Sequence, residues 1–264
     1  MHQLGILGCG WLGVPLGNSL KRLNFNVKGT RRSEAGISTL NNKGIKSYKV
    51  VLDNNRAEGI KLFFKKIETL IISIPPGKRS KGEDYVQKII NLLNYIESSN
   101  IKRIIFLSST SVYGSRGGNY NELSEVNPEN QVAKALYTSE KLIRNSTKPS
   151  IIVRLGGLIG KDRNPIFQLQ NKKIGNPKGR INFIHQQDAV SAISNLVVNS
   201  KLQGIYNLVS PHHPSREKYY TYISKKLGLP SPNFVSEPAI IRIIQATKIE
   251  DDTPFKYIVN NLLI

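Results

Sequence analysis

The chain has 264 residues and carries 38 Lys and Arg against 18 Asp and Glu, a formal charge of +20. Its one cysteine, Cys9, excludes a disulfide framework and a cysteine-built zinc site, and no apolar run reaches the roughly 18 residues that span a bilayer. A chain of this length buries a full core without staples, and its start is unlike a signal peptide, so the expectation is a soluble cytoplasmic protein with no membrane partner.

Residues 4–7 form the first predicted strand and run into Gly8-Cys9-Gly10-Trp11-Leu12-Gly13, which opens a predicted helix over 11–23. In that strand–turn–helix context each glycine has a mechanical use. Gly8 permits the tight turn, Gly10 lets a pyrophosphate approach the backbone, and Gly13 allows close helix–strand packing. Trp11 and Leu12 lie in the same turn, and the free N–H groups of the helix start suit phosphate. A second strand over 25–29 leads into Thr30-Arg31-Arg32-Ser33, with no acid before Glu34. A dinucleotide site for NAD places a carboxylate at this point for the ribose hydroxyls, whereas Arg31 and Arg32 attract a 2′-phosphate. NADP is therefore favoured, and NAD stays open. Asp53, after a third strand over 46–51, either accepts from the adenine amino group or is a surface acid.

Further strands are predicted over 70–73, 103–107, 150–154 and 205–208, and helices over 85–98, 131–144 and 188–199, the last capped by Asp188. Several strands are rich in Ile and Val without polar alternation, as in strands buried on both faces of a parallel sheet. The alternation predicts an α/β fold, a Rossmann-type doubly wound parallel sheet. After Arg154 the rhythm loosens, and 211–238 carries five prolines. Residues 1–160 are read as the dinucleotide-binding core. Residues 161–264 are read as a mixed segment that returns one helix and one strand to the core and forms a small C-terminal substrate-binding lobe.

Several segments together resemble the short-chain dehydrogenase/reductase superfamily, in its extended and atypical NAD(P)-dependent epimerase/dehydratase branch. They are the glycine turn, Ser73-Ile74-Pro75-Pro76, Phe106-Leu107-Ser108-Ser109-Thr110-Ser111-Val112-Tyr113-Gly114, Arg154-Leu155-Gly156-Gly157, the stretch 160–165, Ile184-His185-Gln186-Gln187-Asp188 and Ile205-Tyr206-Asn207. The Gly-x-Gly-Trp-Leu-Gly turn and the double proline are similar to those of the YeeZ-like group. The resemblance implies a hydride exchange assisted by a serine, a tyrosine and a lysine. The tyrosine acts as general acid/base, and the lysine holds the nicotinamide ribose and lowers the tyrosine pKa. Ser109 matches the serine, and Ile74 and Pro75 fall at the strand end that borders the cofactor.

Two registers are open for the other pair. Tyr137-Thr138-Ser139-Glu140-Lys141 fits Tyr-x-x-x-Lys literally, giving Ser109, Tyr137 and Lys141 as the catalytic set. Alignment on Pro128 and Glu140 instead puts the two positions at Val132 and Leu136, and the dyad is lost. A second literal match, Tyr222 with Lys226, lies where the family places none. Tyr113 and Arg163 are candidate substrate contacts, Tyr113 at the strand end and Arg163 for a phosphate or carboxylate. His212 and His213 have no acidic or cysteine neighbours that would make a metal site, and no metal is expected.

The function read from the sequence is an NADP-dependent oxidoreductase or epimerase/dehydratase-like enzyme acting on a small anionic or polar metabolite, such as a nucleotide sugar. The rival readings are a catalytically silent NADP-binding sensor and a nucleic-acid-associated protein. With 25 Lys and 25 Asn, the charge reads largely as composition, and the basic residues are scattered, so nucleic acid is disfavoured. A homodimer is compatible with everything in the sequence.

Overall fold

The computed structural model describes residues 2–53, 56–77 and 82–263. All seven predicted strands are present and form one parallel sheet. They are β1 (Gln3–Leu7), β2 (Asn26–Arg31), β3 (Lys46–Lys49), β4 (Thr69–Ile72), β5 (Arg103–Ser109), β6 (Ser150–Leu155) and β7 (Gly204–Leu208), in the order β7-β6-β5-β4-β1-β2-β3. β6 is buried at every position and β5 at every position but the last, which is why neither alternates polar with apolar residues.

Helices cover both faces. α1 (Gly13–Arg22) and α5 (Gln186–Val198) pack Leu16, Leu20, Ile193 and Leu196 against Leu4, Ile6 and Ile105. On the opposite face α3 (Gly82–Glu97) and α4 (Gln131–Arg144) pack Ile89, Leu92, Leu136 and Ile143 against Leu7, Phe106 and Ile152. Each such side chain contributes roughly 1.5–3 kcal/mol by leaving water. The sheet reverses its winding between β1 and β4, and a ligand crevice opens beyond the strand ends at such a reversal.

Among the described residues five α-helices have no counterpart among the predicted elements; Ile60–Phe64, Ile166–Leu169 and Lys248–Asp252 have only four or five residues, and two are longer. α2 (Glu34–Asn42) is short and polar, and its start is set by Ser33, whose Oγ accepts from Gly36 N–H at 3.2 Å. α6 (Arg216–Leu227), started by Ser215, lies inside the proline-rich stretch and buries Tyr219 and Tyr220. These tyrosines join Ile159, Ile166, Ile174, Ile181 and Leu262 in a separate apolar cluster.

The capping role expected of Asp188 is corrected. His185 caps α5, its Nδ1 accepting from Gln187 N–H at 3.3 Å. Asp188 sits in the first turn, fully buried, and accepts from Ile258 N–H at 2.8 Å and Val259 N–H at 3.2 Å. A buried carboxylate requires such partners, and these two tie the C-terminal segment to α5. Burial pushes the Asp188 pKa up, and the two backbone N–H groups work against that shift.

Candidate functional site

The loop after β1 passes through Gly8 at φ 89°, a left-handed conformation where a Cβ would stand 2.9 Å from the Ser73 carbonyl. Gly8 N–H donates to Thr30 Oγ1 at 2.9 Å and Cys9 N–H to Thr30 O at 3.1 Å, which fastens the turn to the end of β2. Gly13 packs tightly, since a Cβ there would stand 3.3 Å from both Cys9 Sγ and Ile6. In front of Gly10 nothing lies closer than 3.8 Å to the corresponding position. Burial pushes the Cys9 thiol up to about 12, although Arg31 opposes the shift, so Cys9 is a packing residue and not a nucleophile.

Beyond this turn lies a cavity of about 1110 Å³ at the reversal point of the sheet. Of the predicted cofactor residues, Gly8, Gly10, Trp11, Leu12, Arg31, Arg32, Ile74 and Pro75 line it. Gly13 supports the turn from behind. Among its described lining residues are four cations, Arg31, Arg32, Lys88 and Arg163, and no carboxylate or histidine. Arg31 Nε is buried without a hydrogen-bond partner among the described residues.

α1 starts at Leu12 without a side-chain cap; Val14 N–H is taken by Gly10 O at 3.0 Å and Pro15 has none, so the helix start offers an anion its positive dipole end and the N–H groups ahead of Val14. The open face of Gly10, the uncapped helix start and the unpartnered Arg31 nitrogen together fit the phosphates of a dinucleotide.

Trp11 joins this turn to the second half of the chain. Its Nε1 donates to Asp162 Oδ1 at 2.7 Å, Gln186 Nε2 donates to its carbonyl at 2.9 Å, and the Arg163 guanidinium lies 5.1 Å from its ring centroid. Cation–π contact and the Asp162 bond thus hold the Arg163 charge beside the glycine turn.

The predicted catalytic set is divided. Ser109 lines the cavity, while Tyr137 and Lys141 do not; Leu136 does. The cause is helical phase. Ala133, Leu136, Glu140 and Ile143 form the buried face of α4, and Tyr137 is turned roughly 100° from Leu136. Lys141 Nζ instead lies 5.0 Å from the Tyr137 ring centroid, and Lys226 lies 5.8 Å from that of Tyr222. Both literal Tyr-x-x-x-Lys matches are therefore i,i+4 cation–aromatic contacts along a helix.

Asp53 is also outside the cavity lining, where Leu52 stands instead, and it accepts from Arg56 N–H at 2.8 Å and Arg56 Nε at 3.3 Å. Tyr113 is 1 % exposed and does not reach the cavity. Its hydroxyl lies 2.9 Å from Asn207 Oδ1 and 2.8 Å from Asn121 O, and the Arg154 guanidinium lies 4.8 Å from its ring.

Sequence reasoning missed Lys88 and the buried pair of Glu140 and Arg154. Lys88 follows Tyr85 by three residues, so both occupy one face of α3, and both line the cavity. Glu140 and Arg154 carried a readable signal: an acid on the apolar face of a helix, and an arginine within a strand otherwise apolar. Arg154 Nη2 donates to Glu140 Oε2 at 2.7 Å. Burial opposes the Arg154 charge, but the hydrogen bonds and charge of Glu140 outweigh it and hold the Arg154 pKa above its ordinary value.

A parallel sheet of this winding, with a glycine turn beneath an uncapped helix and a cationic cavity at the reversal point, defines a Rossmann-type dinucleotide-binding protein. Residues 10–193 match the family described as NAD(P)H-binding, and the chain belongs to that family. It is 30% identical to Protein YeeZ of Escherichia coli (strain K12), over 97% of this chain and 96% of that protein.

Among solved structures, UDP-glucuronic acid 4-epimerase from Bacillus cereus in complex with NAD superposes with a TM-score of 0.82 at 16% identity, covering 99% of this chain and 95% of that one. The dTDP-glucose 4,6-dehydratase from Bacillus anthracis in complex with NAD gives 0.80 at 16% identity, covering 100% and 94%. The fold is thus NAD(P)-binding and epimerase/dehydratase-like. Among the described residues no helix is long and apolar enough to cross a membrane, and no three potential metal ligands cluster.

Proposed function

We propose that this protein binds NADP(H) in the cavity and works as an oxidoreductase on a hydroxyl or carbonyl of a polar metabolite. The observation that carries the reading is the charge of the cavity wall, four cations with no described carboxylate. A ribose 2′-phosphate carries about −1.5 to −2 at neutral pH, as other phosphate monoesters do, and the diphosphate adds roughly two more. Arg31 and Arg32 at the end of β2 suit the 2′-phosphate, and Arg163 and the α1 N-terminus suit the diphosphate. When bound, the reduced nicotinamide supplies a hydride. Ser109 would hold the carbonyl oxygen.

The proton travels with the hydride: in reduction a lining donor such as Lys88, or solvent, gives it to the carbonyl oxygen, and in oxidation the same group takes it back. The test uses the protein's single tryptophan, Trp11, which lines the cavity. Its emission should be quenched by NADPH, with affinity at least about tenfold (about 1.4 kcal/mol) above that for NADH. Equal or absent affinity for the two overturns the reading.

A second reading, a catalytically silent NADP(H) sensor, draws support from Leu136 lining the cavity while Tyr137 and Lys141 do not. Under both readings Tyr137→Phe should leave NADPH affinity within about twofold of wild type, because only a hydroxyl outside the cavity is removed. Under the oxidoreductase reading turnover of an identified substrate is equally unaffected. A loss of tenfold or more in turnover would return Tyr137 to the chemistry, and no NADPH oxidation with any carbonyl compound would favour the sensor.

A further inference from the structure

The cavity runs along the sheet edge from the arginines at the end of β2 to the end of β5. β5 lies three strands from β2, about 14 Å at roughly 4.8 Å per strand, with the glycine turn between them. With the phosphorylated ribose at Arg31 and Arg32 and the diphosphate at that turn, the nicotinamide falls beside β5.

Two helices build the wall there. α3 and α4 follow β4 and β5, start at the same edge of the parallel sheet and pack side by side. Lys88 is the seventh residue of α3 and Leu136 the sixth of α4. At 1.5 Å per residue they stand roughly 9 and 7.5 Å below the helix starts, nearly level with each other. Both line the cavity, and Lys88 is half-buried with no ion pair among the described residues.

Few of the described lining groups can pass a proton. A guanidinium does not release one. Tyr85 is 2 % exposed and donates its hydroxyl to Ile74 O at 3.0 Å, and burial pushes its pKa up. A serine or threonine hydroxyl moves its proton only with a base beside it. Ser108 alone among the described lining hydroxyls meets a carboxylate, at 2.5 Å from Glu140 Oε1, and Arg154 engages both oxygens of that carboxylate at 2.7–3.2 Å. Lys88 Nζ is left.

We propose that Lys88 is the catalytic acid/base at the nicotinamide end of the cavity. As the carbonyl carbon takes the hydride with its electron pair, the Lys88 ammonium gives a proton to the carbonyl oxygen, and the neutral amine recovers one from solvent. In oxidation the neutral amine takes the hydroxyl proton while the hydride leaves the carbon for the nicotinamide. The inference deepens the oxidoreductase reading and rests on it.

The first measurement needs no substrate. The lysines of the whole protein are reductively methylated with 13C-formaldehyde, and Lys88 is assigned as the resonance missing from Lys88→Arg. Its ionisation is followed by NMR in the free protein and with NADPH, NADP+ or 2′-phospho-ADP-ribose, which lacks the nicotinamide. The oxidised ring is positive and the reduced ring neutral. Beside that ring, Lys88 should hold its proton at least about tenfold less tightly with NADP+ than with NADPH. An equal response to all these ligands would place Lys88 at the phosphates and overturn the proposal, as would no response to any of them.

The second measurement follows NADPH oxidation with glyceraldehyde, glyoxylate and diacetyl as carbonyl probes. Lys88→Arg keeps the charge but cannot release the proton. It should lose about 10²- to 10⁴-fold in turnover, with NADPH affinity within about twofold of wild type. Turnover within about tenfold of wild type overturns the role, and so does a wild type inert towards every probe. Absent quenching of Trp11 by either dinucleotide overturns the cofactor reading, whereas quenching without the Lys88 response overturns only the Lys88 assignment.

Discussion

Glu140→Ala is expected to lower the unfolding free energy by about 3–5 kcal/mol, a large share of the stability of an ordinary domain. The magnitude comes from what is left behind. Arg154 is 2 % exposed, and its Nη1 already lacks a hydrogen-bond partner among the described residues. With Glu140 gone, Nε and Nη2 lose their acceptor too, and a full positive charge remains between β5 and β7 with the Tyr113 side chain against it. Ser108 loses its acceptor at the same time.

The intact pair need not be worth that much, since removing both charges avoids the stranded ion. Glu140→Leu combined with Arg154→Met should therefore recover most of the loss. Denaturant unfolding of the two variants, followed by circular dichroism, checks both values. A Glu140→Ala loss below about 1 kcal/mol would show that the guanidinium finds water or another acceptor.

Most of the sheet was legible because its strands are buried on both faces and so stand out as apolar runs between polar ends. α2 and α6 were not legible for the converse reason. Their residues are mostly polar, and what starts them is a serine hydroxyl on a backbone N–H, a contact of about 3.1–3.2 Å that periodicity does not carry. Asp188 misled for a related reason. An acid near a helix start ordinarily caps it, but the partners of this one lie 70 and 71 residues away, and such distances are set only by the folded chain.

The placement of the glycine turn and the arginine pair at the cavity was legible because each depends on residues adjacent in sequence to a strand end. The position of Tyr137 and Lys141 outside the cavity lining was not, because Tyr-x-x-x-Lys is also the spacing at which a lysine meets an aromatic ring along any helix. Phase decides between the two. The buried face of α4 runs through Leu136 and Glu140, and the acid in that face disguises it as polar.

Under the proposed NADP(H) reading, the arginines at the end of β2 select the dinucleotide. Arg31→Ala should weaken NADPH binding about 10- to 100-fold, the loss of a hydrogen-bonded charge contact of about 1.5–3 kcal/mol, while NADH affinity stays within about twofold. The sharpness of that contrast depends on where the side chain reaches. Arg31 Nη1 lies 3.8 Å from the position a Gly10 Cβ would occupy, so the guanidinium extends back toward the glycine turn as well as standing at the ribose end. A contact to the 2′-phosphate is present only in NADPH and produces the selective loss. A contact to the diphosphate is common to both dinucleotides and produces equal losses. Titration of both ligands against wild type and Arg31→Ala, at one fixed ionic strength because screening weakens every phosphate contact, separates the two. Equal losses would move Arg31 to the diphosphate and leave Arg32 alone to discriminate at the ribose.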